Sequence, residues 1–329
     1  MVLEGGAGGG EGPGVSDAEL SWRPAGAAEA APGHARSVVA LVRAYAALTK
    51  PRIIVLLLIT ALCAMIVARG GLPPPGLTLW TLVGLGLSCG SANAVNMWYD
   101  RDIDQVMART QGRPLPTGAL RPGEALAFGI VGQVASALVL AVYVGRLAAL
   151  LSVLGYIYYV GIYTFWLKRR TPQNIVIGGG AGAFPPLVGW AAATGHLAWA
   201  AWLMFLLVFL WTPPHFWALA LYRQDDYRRA KIPMMPVVRG ERATKWQSLG
   251  YAVLLVAASV ALYMTHVVGA AYLVVALALG AGFVAVNIRL LSEHLPSVAW
   301  AQRSFRFSLV YLTVVFAAMV LDVPRLLGR

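Results

Sequence analysis

The sequence predicts an all-α, polytopic membrane protein with nine transmembrane helices. The 329-residue chain is 59% hydrophobic and 12% charged, with a mean hydropathy of +0.68. About a quarter of the residues of a soluble domain are charged. Apolar windows of about 20 residues, the length of a helix that crosses a bilayer, recur nine times. Lysines and arginines collect in alternate connectors between those windows, as in membrane proteins of fixed orientation.

Short connectors alternate with longer polar ones between the nine predicted spans. The spans cover residues 47–68, 77–98, 123–143, 147–167, 173–193, 197–221, 247–267, 269–289 and 305–323. The first contains Pro51, which suits the first turn of a helix because its missing N–H needs no partner there. The fifth contains a glycine run between Gly178 and Gly182, which we interpret as a place of close helix packing or as a bent helix beside a bulky ligand.

The basic residues predict the orientation of the chain. Of 26 lysines and arginines, all but four would lie on the side of the N-terminus; the exceptions are Arg69, Arg146, Arg325 and Arg329. The positive-inside rule then places the N-terminus in the cytoplasm and the C-terminus outside. We expect an integral, multi-pass protein of the bacterial plasma membrane, in contact with the lipid bilayer. The formal charge of +12 is attributed to topology and anion binding, and no nucleic-acid partner is predicted.

Two regions differ in composition. Residues 1–36 are rich in Gly, Ala, Pro and Glu without a periodic apolar face, which predicts a disordered N-terminal tail. Residues 37–329 contain all nine spans and form the membrane domain. The two cysteines, Cys63 and Cys89, lie inside spans and are interpreted as packing residues, since no metal-binding Cys/His spacing is present.

A charged segment, Asn96 to Gly118, follows the second span. Asn96, Asp100 and Asp104 recur at every fourth position, so on a helix of about 100° per residue their side chains share one face. Three arginines lie among and behind them: Arg101, Arg109 and Arg113. Oxygen ligands suit Mg²⁺ and arginines suit phosphate, so the segment predicts a magnesium site that also binds phosphate. A solvated loop with surface charge is the alternative.

Lys50 and Arg52 lie at the start of the first span, at the inner membrane edge. The positive-inside rule accounts for both as membrane anchors. Contact with an anionic substrate accounts for them equally well.

The sixth span ends in a second unusual segment, Trp211 to Pro236. Pro213 and Pro214 are predicted to break or kink the helix within the membrane, and His215 follows them directly. An ionisable residue at such a place indicates a site, although a single histidine can also be a satisfied core residue. Beyond the membrane edge lie further acids and bases, of which the candidate site residues are Asp225, Asp226 and Lys231.

Two acidic clusters on one side of the membrane need a cation between them, because neighbouring carboxylates repel. Mg²⁺ bridges carboxylates to substrate phosphates, and basic side chains offset the remaining phosphate charge. A diphosphate bound at a membrane surface and carrying an apolar group describes an isoprenoid diphosphate. Ionisation of its allylic C–O bond leaves a carbocation that an apolar, aromatic cavity shields from water.

These features resemble the UbiA superfamily of intramembrane prenyltransferases. The resemblance covers about residues 40–325 and rests on the Asn96-x₃-Asp100-x₃-Asp104 motif, a second acidic motif after a sixth span, and nine spans with the N-terminus inside. Three segments resemble the haem-farnesylating branch of that superfamily: LTKPRI, DRDID…MARTQGRPLPTG, and WTPPHFWALA followed by DDYRRAKIPMMPVVRG.

The resemblance implies a bundle around a central cavity, capped on the inner side by the two acidic loops. It implies a catalytic set that binds Mg²⁺ and diphosphate, namely Asn96, Asp100, Asp104, Asp225 and Asp226. It also implies a substrate-binding set, namely Lys50, Arg52, Arg109, Arg113, Lys231, Trp211, His215 and Trp217. The implied reaction transfers farnesyl from farnesyl diphosphate to a vinyl group of haem b, with water addition, giving haem O. His215 would face the haem as an axial ligand or hydrogen-bond partner, and the next haem-modifying enzyme or a terminal oxidase assembly would be a protein partner.

One departure from the superfamily pattern concerns the second acidic motif. Many members space it as D-x₃-D, whereas here the acids are adjacent and Tyr222 stands where an acid is expected. The number of metals, and which of Asp225 and Asp226 is a ligand, therefore stay open. Two rival functions also stay open: an aromatic-acid polyprenyltransferase of quinone biosynthesis, which the segment Trp211 to Pro236 disfavours, and an ion or solute transporter. Transporters place coupling residues near the membrane midplane, whereas these acids lie at one edge.

Overall fold

A computed structural model of the chain describes residues 37–294 and 296–323. The predicted tail, residues 1–36, lies outside this part. The described residues form long helices joined by short connectors and four shorter helices. The long helices are α2 (Pro51–Arg69), α3 (Pro75–Tyr99), α5 (Pro122–Tyr143), α6 (Arg146–Ile157) with the π-helix that continues it (Tyr158–Leu167), α7 (Asn174–Thr194), α8 (Trp199–Tyr222), α11 (Gly240–Tyr263), α12 (Ala270–Leu291) and α13 (Ala299–Leu321). The short helices are α1 (Val38–Thr49), α4 (Arg101–Val106), α9 (Gln224–Arg229) and α10 (Met235–Val238).

A helix stands at each of the nine predicted spans, and the chain is an integral, multi-pass membrane protein. Eight of these helices, counting α6 with its π-helix as one, have the length and composition of a membrane span. The remaining helix, α3, has 25 residues, but polar side chains such as Asn93 and Asn96 lower the hydropathy of its second half. The largest shift from the predicted bounds is in α11, which begins at Gly240 because its first turns carry charged residues that hydropathy does not detect.

Because successive spans run in opposite directions, the helix ends that carry the candidate site residues lie on the same side of the bundle. The ends of α3, the π-helix and α8, and the beginnings of α2 and α11, lie on one side of the bundle, which we call the site side. The short helix α1 precedes α2 there, and its residues Ala44 and Leu48 are buried in a cluster with Ala94 and Met97 of α3.

Small residues allow the helices at the centre of the bundle to approach closely. A Cβ atom at Gly189 of α7 would lie 2.1 Å from the backbone oxygen of Ala61 in α2, so no side chain fits there. A Cβ atom at Gly179 would lie 2.7 Å from the side chain of Thr212 in α8. The glycine-rich fifth span is therefore a surface of close packing, as its sequence predicts.

Helix α8 continues without a break through Pro213 and Pro214. Of the two predicted outcomes, a break is therefore wrong, and a kink stays a prediction. Proline removes an N–H donor from the helix, but the surrounding helices of a membrane bundle tolerate that loss. Because the helix continues, His215 keeps a fixed rotational position on α8 relative to Trp211, one turn earlier.

Candidate active site

The first acidic segment keeps helical spacing across the junction between α3 and α4. The backbone N–H of Asp100 donates to the Asn96 carbonyl oxygen at 2.9 Å, and that of Asp104 donates to the Asp100 carbonyl oxygen at 2.8 Å. Asn96, Asp100 and Asp104 consequently share one face, and all three are buried. Arg101, one position from that face, is exposed and lies over the Trp98 ring.

Asp100 is enclosed completely, with 0% of its surface exposed. Its carboxylate accepts hydrogen bonds from the Lys168 ammonium, from Asn96 Nδ2 at 2.8 Å and from Arg169 at 3.5 Å. Arg169 also makes two bonds of 2.7 Å to the exposed carboxylate of Asp102, and these lower the pKa of Asp102. The end of the fourth span thus supplies the counter-ions of Asp100 and Asp102.

The Asn96 amide is oriented by three partners. Its Nδ2 donates to Asp100 and also to Thr164 Oγ1 of the π-helix, at 3.2 Å. Its Oδ1 accepts from Lys50 Nζ at 3.1 Å. Both amide hydrogens are therefore used within the protein, and the oxygen faces a cation.

Lys50 joins α1 to α2 in a left-handed conformation, with φ of 55°. Burial, reinforced by the positive charges of Arg113 and Lys168, lowers the pKa of Lys50 to about 7, although Asp104 and Asp100 act in the opposite direction. Added negative charge nearby would stabilise the protonated form of a lysine in such surroundings. Arg52, two residues later, is exposed and forms no ion pair within the described part of the chain.

Asp104 is paired with Arg113 across the following loop. Arg113 donates to both carboxylate oxygens, each at 2.8 Å, and the Asp104 side chain is only 4% exposed. Thr110 closes the loop by donating its hydroxyl to the Asp104 carbonyl oxygen at 2.8 Å. The predicted arginine therefore stands directly against the third member of the acidic face.

The second acidic segment forms α9, and its two acids differ sharply. The Asp225 side chain is 82% exposed and pairs with Arg228 at 2.9 Å. The Asp226 side chain is 9% exposed and pairs with Arg229 at 2.5 Å. Asp226 points into the protein and Asp225 away from it, which makes Asp226 the better candidate ligand.

Arg109 connects the two acidic segments. Its guanidinium lies 5.7 Å from the centre of the Tyr227 ring and donates to the Tyr227 hydroxyl at 3.4 Å. Beneath this contact, apolar residues of α4 and its loop pack against α8, α9 and the loop after α9, including Ile103, Met107, Trp217 and Ile232. Lys231 is exposed beside this cluster, with φ of 52°. The two segments thus form one continuous surface on the site side.

The oxygen donors suit Mg²⁺ when it arrives with an anion. Within residues 37–294 and 296–323, no group of three or more His, Cys, Asp or Glu side chains could hold a metal by itself. Asn96, Asp100 and Asp104 nevertheless offer hard oxygen ligands on one face, and Mg²⁺ usually keeps water and phosphate oxygens as its remaining ligands. A bound diphosphate would form ion pairs with the basic side chains that now neutralise the carboxylates.

His215 lies in a cluster of aromatic rings between α8 and α13. Its ring stacks on Trp211, with centroids 4.2 Å apart, and on Phe305, at 4.6 Å. Its Nδ1 lies 2.7 Å from Ser308 Oγ, and the Ser308 hydroxyl donates its one proton to the Phe305 carbonyl oxygen at 2.6 Å. We assign the imidazole proton to Nδ1, because Ser308 Oγ then accepts from His215 while its own proton goes to the Phe305 carbonyl oxygen. The lone pair on Nε2 has no partner among the described residues.

The two predicted tryptophans occupy different environments. Trp211 donates its indole N–H to the Ser308 carbonyl oxygen at 2.7 Å and stacks on the His215 ring. Trp217 is 0% exposed and packs edge-on against Tyr251, with ring centroids 5.7 Å apart. Its ring contacts protein on all sides, beneath α9 and its following loop.

The residues that sequence reasoning missed come from the end of the fourth span and from α13. Thr164, Lys168 and Arg169 contact the acidic face, although none of the three is among the candidate residues that the sequence indicates. Lys168 and Arg169 belong to a basic run after an apolar span, which is also typical of membrane anchors. The sequence therefore does not distinguish the two roles. Phe305 and Ser308 carry no signal in the sequence, because neither residue type indicates a site.

Comparison with known proteins identifies relatives along most of the chain. The sequence profile of the UbiA prenyltransferase family matches residues 57–310. A protein of Symbiobacterium thermophilum named protoheme IX farnesyltransferase is 60% identical over 87% of this chain and 95% of its own length. A protein of the same name from Synechococcus sp. is 51% identical over 88% of this chain and 87% of its own length.

Solved structures with low sequence identity share the fold. A digeranylgeranylglyceryl phosphate synthase has a TM-score of 0.73 at 17% identity, covering 86% of this chain and 98% of its own. A UbiA homologue of Archaeoglobus fulgidus bound to DMAPP and Mg²⁺ has a TM-score of 0.62 at 15% identity, covering 84% of this chain and 99% of its own.

Proposed function

The chain belongs to the UbiA prenyltransferase family, and on that basis we propose that it transfers a farnesyl group from farnesyl diphosphate to a vinyl group of haem b. We propose that the reaction requires Mg²⁺ and ends with water addition, giving haem O. The observation that carries this proposal is a buried Asn/Asp face lined by lysines and arginines, in a chain 60% identical to a protein named protoheme IX farnesyltransferase.

The acidic face and Asp226 are assigned to the metal, and the surrounding bases to the diphosphate. Lys50, Arg113 and Lys168 already contact members of that face, so each needs only a short movement to bind a phosphate oxygen. Arg109, Arg52 and Lys231 are assigned to the rim of the same site. When bound, Mg²⁺ would stabilise negative charge on the departing pyrophosphate.

The reaction proceeds by ionisation of the diphosphate. The allylic C–O bond breaks and its electron pair leaves with pyrophosphate, which the basic side chains hold. The terminal vinyl carbon of haem b attacks C1 of the farnesyl cation and forms the new C–C bond. The cation left beside the porphyrin is captured by water, which loses a proton and becomes the hydroxyl group. Aromatic side chains shield both cations from other nucleophiles.

His215 is assigned to the haem. Its Nδ1 proton is held by Ser308, so Nε2 carries the lone pair that can bind the haem iron or accept a hydrogen bond. Trp211 and Phe305 flank the imidazole and supply flat apolar surfaces that suit a porphyrin. Trp217 is assigned an indirect role, because its packing supports α9.

We propose that the site side faces the cytoplasm, in agreement with the distribution of lysines and arginines. The product would pass to the next haem-modifying enzyme or to a terminal oxidase assembly.

The test supplies haem b, farnesyl diphosphate and Mg²⁺ to the purified full-length chain and measures the mass of the haem product. We expect the mass of haem b plus a farnesyl group and a hydroxyl group. Asp100→Asn should abolish the product, whereas Asp102→Asn, which removes an exposed charge from the same segment, should retain it. A product without the added water would refute that step alone, and full activity of Asp100→Asn would refute the metal assignment.

A further inference from the structure

Lys168 and Asp100 form a buried ion pair at the centre of the site. The Asp100 carboxylate is fully enclosed, and the Lys168 side chain is only 18% exposed. A buried carboxylate costs several kcal/mol unless it is paired. The same oxygens are the central donors of the proposed metal site, so an ammonium group and a metal ion would compete for them.

The backbone of Lys168 is fixed. Its N–H donates to the Tyr163 carbonyl oxygen at 2.9 Å, and its own carbonyl oxygen accepts from Asn174 Nδ2 at 3.0 Å. Asn174, at the first turn of α7, is 1% exposed. Lys168 is thus a positioned cation at the end of the π-helix, whereas a membrane anchor would have a free side chain in water.

The charge balance of the site opposes a metal ion on its own. Five basic side chains contact the four carboxylates or Asn96: Lys50, Arg113, Lys168, Arg169 and Arg229. The carboxylates are Asp100, Asp102, Asp104 and Asp226. The bases thus offset all four carboxylates without any metal ion. Adding Mg²⁺ alone gives the site a net positive charge and leaves the Lys168 ammonium beside a dication. A diphosphate carries enough negative charge to offset the metal and to accept the displaced ammonium.

We propose that Lys168 is the internal counter-ion of Asp100, and that it makes Mg²⁺ binding depend on diphosphate binding. The inference deepens the proposed function and rests on it. Without diphosphate, Lys168 keeps Asp100 occupied. With diphosphate, the ammonium is stabilised by phosphate oxygens and Asp100 becomes available to the metal. Linkage requires the converse, so Mg²⁺ must strengthen diphosphate binding by the same factor.

The experiment measures Mn²⁺ binding by electron paramagnetic resonance on the full-length protein in detergent, with and without inorganic pyrophosphate. Free Mn²⁺ is corrected for its complex with pyrophosphate, measured in protein-free buffer. For the unmodified chain we expect weak Mn²⁺ binding alone and at least about tenfold tighter binding with pyrophosphate, within the usual range of coupling. Lys168→Met should bind Mn²⁺ alone about tenfold more tightly than the unmodified chain and lose most of the coupling.

Two further variants separate charge from structure. Lys168→Arg keeps the charge and should retain the coupling. Arg170→Met removes the same charge two residues later, where no carboxylate of the described chain is contacted, and should bind Mn²⁺ like the unmodified chain. If Lys168→Met does not fold, equal Mn²⁺ affinity of the unmodified chain with and without pyrophosphate still overturns the inference.

Unchanged Mn²⁺ affinity in a folded Lys168→Met variant overturns the inference and leaves the proposed function intact. Absence of Mn²⁺ binding to the unmodified chain even with pyrophosphate overturns both. Retained coupling in Lys168→Met assigns the coupling to another base and likewise overturns the role of Lys168.

Discussion

The unequal burial of two adjacent acids leads to a sharp prediction. Asp225→Asn and Asp226→Asn make the same chemical change one residue apart. The Asp226 side chain is 9% exposed and the Asp225 side chain 82% exposed. An exposed ion pair such as Asp225 with Arg228 contributes at most about 1 kcal/mol, so Asp225→Asn should lower kcat/KM for farnesyl diphosphate less than about fivefold.

Asp226→Asn should lower kcat/KM by about 10²–10³, the usual cost of removing one group that stabilises charge in the transition state. Folding should survive, because Arg229, which loses its partner, is 60% exposed and remains solvated. The assay varies farnesyl diphosphate at saturating haem b and Mg²⁺ and quantifies the haem product by chromatography. Similar losses in both variants, or a larger loss in Asp225→Asn, would refute the selection of the ligand by burial.

Substitutions in three other parts of the structure test separate features. Ser308→Ala should weaken haem b binding about tenfold in a Soret titration, because the imidazole loses the hydrogen bond that orients it. His215→Ala should weaken haem b binding more. Affinities equal to that of the unmodified chain would contradict the haem-facing role of His215. Thr164→Val should raise the Mg²⁺ concentration for half-maximal activity about tenfold without changing kcat, and Thr164→Ser should restore it. Gly189→Ala should destabilise the fold by about 1–3 kcal/mol and lower the apparent Tm, because its Cβ would meet the α2 backbone at 2.1 Å. Gly182→Ala, where a Cβ meets nothing within 4 Å, is the control, and equal Tm values would argue against the close packing.

Periodicity in the sequence was enough to predict the helices and the acidic face. Apolar windows identify spans because a bilayer leaves few other structures for the backbone. The spacing of Asn96, Asp100 and Asp104 predicts one face because the i→i+4 hydrogen bonds continue across the end of α3. Both predictions use residues that are close together in the sequence, and helical geometry determines where their side chains lie.

Features that depend on contacts between distant segments could not be predicted in this way. Lys168 and Arg169 have the sequence context of membrane anchors, and only the approach of the π-helix to α3 shows that they neutralise Asp100. The adjacent acids Asp225 and Asp226 look equivalent in the sequence. The direction in which α9 packs determines which of them is buried.

The contacts between α3 and the fourth span have a consequence for synthesis of the protein. Asn96 contacts Thr164 and Asp100 contacts Lys168, and each pair is separated by 68 residues. At about 5–20 residues per second, a ribosome adds that length in roughly 3–14 s. During this interval α3 has left the ribosome with a carboxylate that lacks its ammonium partner. Insertion of the fourth span therefore supplies both contacts in one step, and Asp100 is neutralised before α9, which carries Asp226, has been synthesised.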